Sequence, residues 1–127
     1  MWQATLPASL GDLAPLRRRL VDHLVGTGIS PDLETVGLLF SELASNALRH
    51  ADGPYEATVT IVDRVVRVAV QDATPSPPVV LPPDPARVGG NGMRIIQAMA
   101  QSWGVDPSPG GKQVWFEVPA AGGPDPA

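Results

Sequence analysis

Two runs of β-branched and small residues, AlaThrValThrIleVal at 57–62 and ValValArgValAlaVal at 65–70, are separated only by Asp63-Arg64. Such residues suit a pleated, half-buried surface, and so short a gap closes two antiparallel strands into a tight hairpin. A hairpin alone is marginal in water, so the rest of the chain has to cover one of its faces. The covering elements lie on both sides of it. Leu13, Leu16, Leu20, Val21, Leu24 and Val25 recur at the spacing of one helical face, and Gly26 and Gly28 end that helix. Ser30 before Pro31 predicts an N-cap with proline at the first helical position. This second helix should run to about His50 and stop near Asp52-Gly53-Pro54. The opening segment at 2–6 reads as a short edge strand. Met93 to Trp103 reads as a third helix with Ile95, Ile96, Met99 and Trp103 as its apolar stripe, and Lys112 to Val118 as a last strand. Antiparallel strands with helices gathered on one side predict a two-layer α/β sandwich.

At 127 residues there is room for one domain and one modest core. We place the domain at 1–119 and a frayed tail at 120–127. With 43% hydrophobic and 17% charged residues the chain has a globular profile. A net charge of −4 argues against a nucleic-acid surface, which needs basic patches to displace phosphate counterions. Arg17-Arg18-Arg19 is a local exception. The lack of cysteine excludes disulfides, thiolate metal sites and a cysteine nucleophile, and having only His23 and His50 disfavours a zinc enzyme. No basic leader precedes an apolar stretch, and no run approaches the roughly 20 apolar residues of a membrane span. The expectation is a cytoplasmic protein without membrane contact.

Four places can carry chemistry. On the second helix, with Glu42 as origin, Asn46 falls at about 40°, Leu39 at about 60°, Leu43 at about 100° and Val36 at about 120°. Glu42 and Asn46 are therefore neighbours on the edge of the buried stripe. A carboxylate there can act as a base, and an amide oxygen is a hard ligand that suits Mg²⁺; an ordinary boundary pair is the alternative. Asp72 closes the strand ValAlaValGlnAsp, where it can face a crevice and accept from an amino group, or cap the turn at Ala73. GlyGlyAsnGlyMet at 89–93 opens a helix, where backbone N–H groups favour an anion, or is simply a turn. It is neither a Walker A loop nor a dinucleotide fingerprint. Lys112 follows Gly110-Gly111 and can reach a phosphate, or stay solvated on an edge strand. Between Asp72 and Met93 the tract from Ala73 to Asn91 carries six prolines, and a loop that long is usually functional or mobile.

Taken in order, these segments resemble a known family. GluLeuAlaSerAsnAlaLeuArgHisAla resembles the N box of the GHKL (Bergerat-fold) ATPases. ValGlnAspAlaThrProSerProPro is similar to their adenine-binding box, GlyGlyAsnGlyMetArgIleIle to the glycine box that ends the ATP lid, and GlyGlyLysGlnValTrpPheGluValPro to the final strand. The match runs from about Leu13 to Pro119, and within the superfamily it most resembles the anti-sigma-factor serine/threonine kinases. The resemblance implies a histidine-kinase-like ATPase fold with a mixed, mostly antiparallel sheet, and ATP and Mg²⁺ as cofactors. It implies Glu42 as general base toward a serine hydroxyl, Asn46 as Mg²⁺ ligand and Arg49 near the phosphates. Asp72 would read the adenine amino group. Gly90, Asn91, Gly92 and Met93 would bind phosphate through their backbone, with Lys112 assisting. The implied partners are a sigma factor and a small antagonist protein, with homodimerisation as a family habit. Two departures stand out: Ala73-Thr74-Pro75 where many members of the wider superfamily place glycine, and Asn91 at a lid position that is often basic or otherwise variable in relatives.

Three functional readings follow. The first is a protein kinase that also sequesters a sigma factor; the second is a non-catalytic, ATP-dependent protein-binding switch. A detached sensor-kinase catalytic domain ranks last, because no histidine-bearing dimerisation helix is present. The apolar side of the first helix with its arginines is either a dimer or sigma-binding surface or, preferred, a core helix with a solvated basic edge. His50 is expected to be a hydrogen-bonded structural residue at its helix C-terminus.

Overall fold

The structure, a computed structural model, describes residues 1–76 and 92–122. Its order is β1 (Trp2–Thr5), α1 (Leu13–Gly26), β2 (Ile29–Pro31), α2 (Leu33–His50), β3 (Glu56–Val62), β4 (Val65–Asp72), α3 (Gly92–Met99), β5 (Ser102–Ser108) and β6 (Gly111–Gly122). The strands run in the order β1-β3-β4-β6-β2, with β5 also paired to β6, and every pairing among the described residues is antiparallel. The hairpin forms as expected. Asp63 and Arg64 both take positive φ, 50° and 62°, the twist that a two-residue connection between right-twisted strands needs.

Alternation along the strands sends one face to the helices. Val59, Val66, Val68, Val70, Val114, Phe116 and Val118 are buried there, against Leu20 and Leu24 of α1 and Val36, Leu39, Phe40 and Leu43 of α2. Each of the larger side chains contributes about 1.5–3 kcal/mol by leaving water. The expected two-layer α/β sandwich with helices on one face is therefore the observed architecture.

Three boundaries and one helix face differ from expectation. Ser30 does not cap α2: Ile29–Pro31 pairs with 120–122 of β6, and Asp32 is the N-cap, accepting from the Thr35 amide at 3.1 Å. Helix α3 stops at Met99 rather than Trp103. Ala100 still donates to Ile96, but the Gln101 amide turns to the Glu117 carbonyl at 2.8 Å, and Trp103 then lies on β5 opposite Phe116. The last strand runs past Val118 to Gly122. Val25 faces outward and is 58% exposed, so the buried stripe of α1 is Leu13, Leu16, Leu20 and Leu24.

Arg17, Arg18 and Arg19 are exposed; the Arg17 stem lies along Gly37 of α2, and the Arg19 guanidinium stands 6.0 Å from the Trp2 ring. No helix among the described residues is long and apolar enough to cross a membrane.

Candidate functional site

The C-terminal half of α2 crosses the ends of β4 and β6 and leaves a cleft of ≈ 230 Å³. Leu43 and Ala47 of α2 face Val70 of β4 and Val114 of β6, giving the cleft apolar walls. Its floor is polar. Asp72 ends β4 directly opposite Lys112 at the start of β6, so the antiparallel register itself brings carboxylate and ammonium together. Lys112 Nζ lies 2.9 Å from Asp72 Oδ2 and 3.1 Å from Oδ1, and donates to the Thr74 carbonyl at 3.0 Å. Both residues are nearly sealed from water, at 4% and 5% exposure. Taking charges that far from solvent is tolerated only with close pairing and added hydrogen bonds, which this arrangement supplies.

Thr74 organises the floor. Its amide donates to Asp72 Oδ1 at 2.8 Å, its carbonyl accepts from Lys112, and its hydroxyl accepts from the Asp52 amide at 2.7 Å. The Ala73 amide donates to the Asp52 carbonyl at 2.8 Å, so the loop after α2 is tied to the segment after β4. Asp72 thus caps the turn at Ala73 and also lines the cleft, where its partner is Lys112. Gly111 lets β6 approach this turn: a Cβ there would run into the Asp72 carbonyl oxygen.

Asn46 lines the cleft mouth, and His50 stands beside it one turn on. Glu42, one turn before Asn46, is half-buried and turned to α3. A Cβ on Gly92 would come within 2.9 Å of Glu42 Oε2 and 3.2 Å of the Glu42 carbonyl oxygen, so a glycine at the first position of α3 lets its N-terminus close on the carboxylate. Among the described residues neither the Glu42 nor the Asn46 side chain has a hydrogen-bond or ionic partner.

The expected site residues therefore divide. Asn46, Asp72 and Lys112 meet in one cleft, and Glu42 meets Gly92 beside it. Met93 is buried in the core, which leaves its backbone as the available group. Arg49 is exposed near the end of α2 and does not line the cleft. Gly90 and Asn91 lie outside the described residues. Lys112, expected to reach a phosphate, is held instead by Asp72 and Thr74. His50 is exposed and has no hydrogen-bond partner among the described residues, contrary to the structural role expected of it. Thr74 and Gly111 were not legible as site residues: Thr74 registers in the sequence only as a non-glycine after Asp72, and Gly111 only as half of a flexible pair.

A second hollow of ≈ 520 Å³ between α1, α2 and α3 is roomier, but its charged groups, Arg17 and Glu34, are exposed. Asn46, Asp72 and Lys112 gather in the smaller one.

A family model described as a histidine kinase-like ATPase domain matches residues 6–118. No curated protein matches the chain significantly. Among solved structures, the histidine kinase domain from the Erythrobacter litoralis EL346 blue-light activated histidine kinase is similar at 24% identity and a TM-score of 0.50, over 87% of this chain and 58% of that one. The Erythrobacter litoralis EL346 blue-light activated histidine kinase is similar at 21% identity and a TM-score of 0.51, over 87% of this chain and 41% of that one. The chain thus spans less than two thirds of either protein, and at these identities the likeness is one of fold.

Proposed function

The chain belongs to the histidine kinase-like ATPase domain family, and on that premise we propose that it is a cytoplasmic, ATP- and Mg²⁺-binding anti-sigma-factor serine/threonine kinase. In this reading it phosphorylates a small antagonist protein and sequesters a sigma factor. One observation carries it: a cleft with apolar walls has Asp72 at its floor and Asn46 at its mouth, with Glu42 one turn away on the same helix.

The residues present fit the nucleotide that an ATPase domain implies. The cleft volume falls below the roughly 300–1,000 Å³ of pockets that bury a drug-sized ligand, so it takes a flat base and leaves the phosphates beyond its mouth. Leu43, Ala47, Val70 and Val114 would sandwich the base, and Asp72 Oδ2, contacted only by Lys112, has a lone pair to offer an amino group. The Asn46 amide oxygen is the hard ligand at the mouth, where Mg²⁺ would sit. ATP supplies a transferable phosphoryl group when bound. Glu42 accepts the proton of the attacking serine hydroxyl, and Gly92 sets where that carboxylate stands. Phosphoryl transfer asks mainly for such positioning and charge stabilisation.

The test is label transfer from γ-labelled ATP to antagonist-type proteins of the same genome. The kinase reading expects labelling of a serine or threonine that Glu42→Gln abolishes while ATP still binds. ATP binding without any labelled protein would overturn it. If partner affinity then changed with ATP, the non-catalytic switch would replace it.

A further inference from the structure

The Asp72–Lys112 pair lies inside the cleft, not at its phosphate end, and the proposed function gives the ammonium nothing to do there. We propose that Lys112 is a base-reading residue, and that with Asp72 it makes the cleft accept guanine as well as adenine nucleotides. This rests on the nucleotide-binding reading above and adds its ligand class: purine nucleoside triphosphates with either an amino or an oxo group at position 6.

The two purines differ in polarity at two adjacent atoms. Adenine presents an amino donor next to a ring-nitrogen acceptor. Guanine presents a carbonyl acceptor next to a ring N–H donor. A carboxylate alone only accepts; it pairs with the amino group and repels the carbonyl. At the floor of this cleft a donor stands beside the acceptor. Asp72 Oδ1 already accepts from the Thr74 amide and from Lys112, whereas Oδ2 accepts from Lys112 alone and keeps room for a base N–H. The Lys112 ammonium carries three protons. It meets the carboxylate through both oxygens and the Thr74 carbonyl through a third contact. One carboxylate contact suffices to keep the pair, so a proton can turn to a base carbonyl or ring nitrogen. Acceptor and cation are fixed side by side by the β4–β6 register. With that order fixed, adenine meets the cation and the carboxylate through N7 and its amino group, and guanine through its carbonyl and ring N–H one position further along the same edge, so the base slides and turns by one ring position in its plane.

The size of the effect follows from what a single-polarity site does. A buried hydrogen-bonding site rejects a ligand that leaves its groups unpaired by about 10⁴–10⁵. A site offering both polarities should hold the two purines within about tenfold of each other.

Calorimetric titration of the full chain with ATP and with GTP, each with Mg²⁺, tests this. The expected result is a GTP Kd within about tenfold of that for ATP, and in Lys112→Thr a loss of GTP affinity at least about tenfold greater than that of ATP affinity. Lys112→Arg, which keeps the cation, should retain GTP. Removing Lys112 also costs stability, so the wild-type comparison stands by itself if Lys112→Thr does not fold. ATP binding with GTP more than about a thousandfold weaker overturns this inference and leaves the nucleotide-binding reading intact. Equal losses of both nucleotides in a folded Lys112→Thr overturn it as well. Binding of neither nucleotide to the wild type overturns both.

Discussion

At the sheet end of the cleft, Asp72, Lys112 and Thr74 are tied to one another and to the backbone, and the two charges are 4% and 5% exposed. At the helix end, Glu42 and Asn46 stand half-buried on α2, and among the described residues their side chains have no hydrogen-bond partner. The sheet end is part of the folded scaffold as much as of the site, because opening it uncovers a buried charge. On the proposed function, the helix end supplies chemistry and little stability. Substitutions at the two ends should separate binding and catalysis from folding, and that separation is open to direct attack.

The sharpest contrast is between Lys112→Met and Glu42→Gln. The first leaves the Asp72 carboxylate buried without its partner and should cost about 3–5 kcal/mol, seen as a lower urea midpoint at unchanged m. Pairing it with Asp72→Leu should restore part of the loss, since replacing both charges removes the desolvation term. Glu42→Gln should stay within about 0.5 kcal/mol of wild type, as a half-exposed site does. If both variants lost equal stability, the division between the ends would collapse.

Gly111→Ala and Gly92→Ala repeat the contrast with a single methyl. At Gly111 the added carbon meets backbone at Asp72, which cannot swing away, and about 1–3 kcal/mol or more should be lost on unfolding. At Gly92, the first residue of α3, it comes within 2.9 Å of the end of a flexible carboxylate and 3.2 Å of the Glu42 carbonyl oxygen, and the carboxylate can swing away, so the stability change should stay within about 0.5–1 kcal/mol. Phosphoryl transfer, not the melting temperature, should fall in Gly92→Ala because Glu42 is displaced.

Thr74→Val keeps the shape of the sheet end while removing the acceptor for the Asp52 amide, and should cost about 1 kcal/mol by the same unfolding assay. The smallest expected effect lies at the far end of α2. Asp32 is held below the usual carboxylate value of 3.8 by the Thr35 backbone amide first, and then by the Thr35 side chain. A carboxyl lowered on folding stabilises above its unfolded pKa and loses that contribution as pH falls through its folded one. Asp32→Ala should therefore lower the melting temperature slightly at pH 7, and the gap should close on acidification below the ordinary carboxylate range.

The helix-covered hairpin was legible in the sequence because its cues are local: β-branched runs, a two-residue turn and apolar residues at helical spacing. What was not legible depends on pairing at a distance. Ile29–Pro31 is a strand only because 120–122 of β6 lie beside it, and Ser30-Pro31 carries an equally good local signal for a helix start. Trp103 falls in step with Ile96 and Met99 on a helical wheel, yet it reaches the same core from β5, whose Gly104, Asp106 and Pro107 give no strand cue. Within the site, Asn46 and Asp72 could be found from residue type and spacing along one element. The partner of Lys112 could not, since only the β4–β6 register decides that it faces Asp72 instead of reaching for a phosphate. Thr74 was not legible because two of its three hydrogen bonds, those with the Asp52 amide and Lys112, exist only once β4, β6 and the loop after α2 are in place.

Calorimetric titration of ATP, with and without Mg²⁺, on the wild type and Asn46→Ala decides whether the proposed nucleotide cleft has its base end at Asp72 and its metal end at Asn46. ATP should bind more tightly with Mg²⁺, and Asn46→Ala should weaken binding in the presence of Mg²⁺ by at least about tenfold, or about 1.4 kcal/mol. Absence of binding, or an affinity that neither Mg²⁺ nor Asn46→Ala alters, would contradict that assignment.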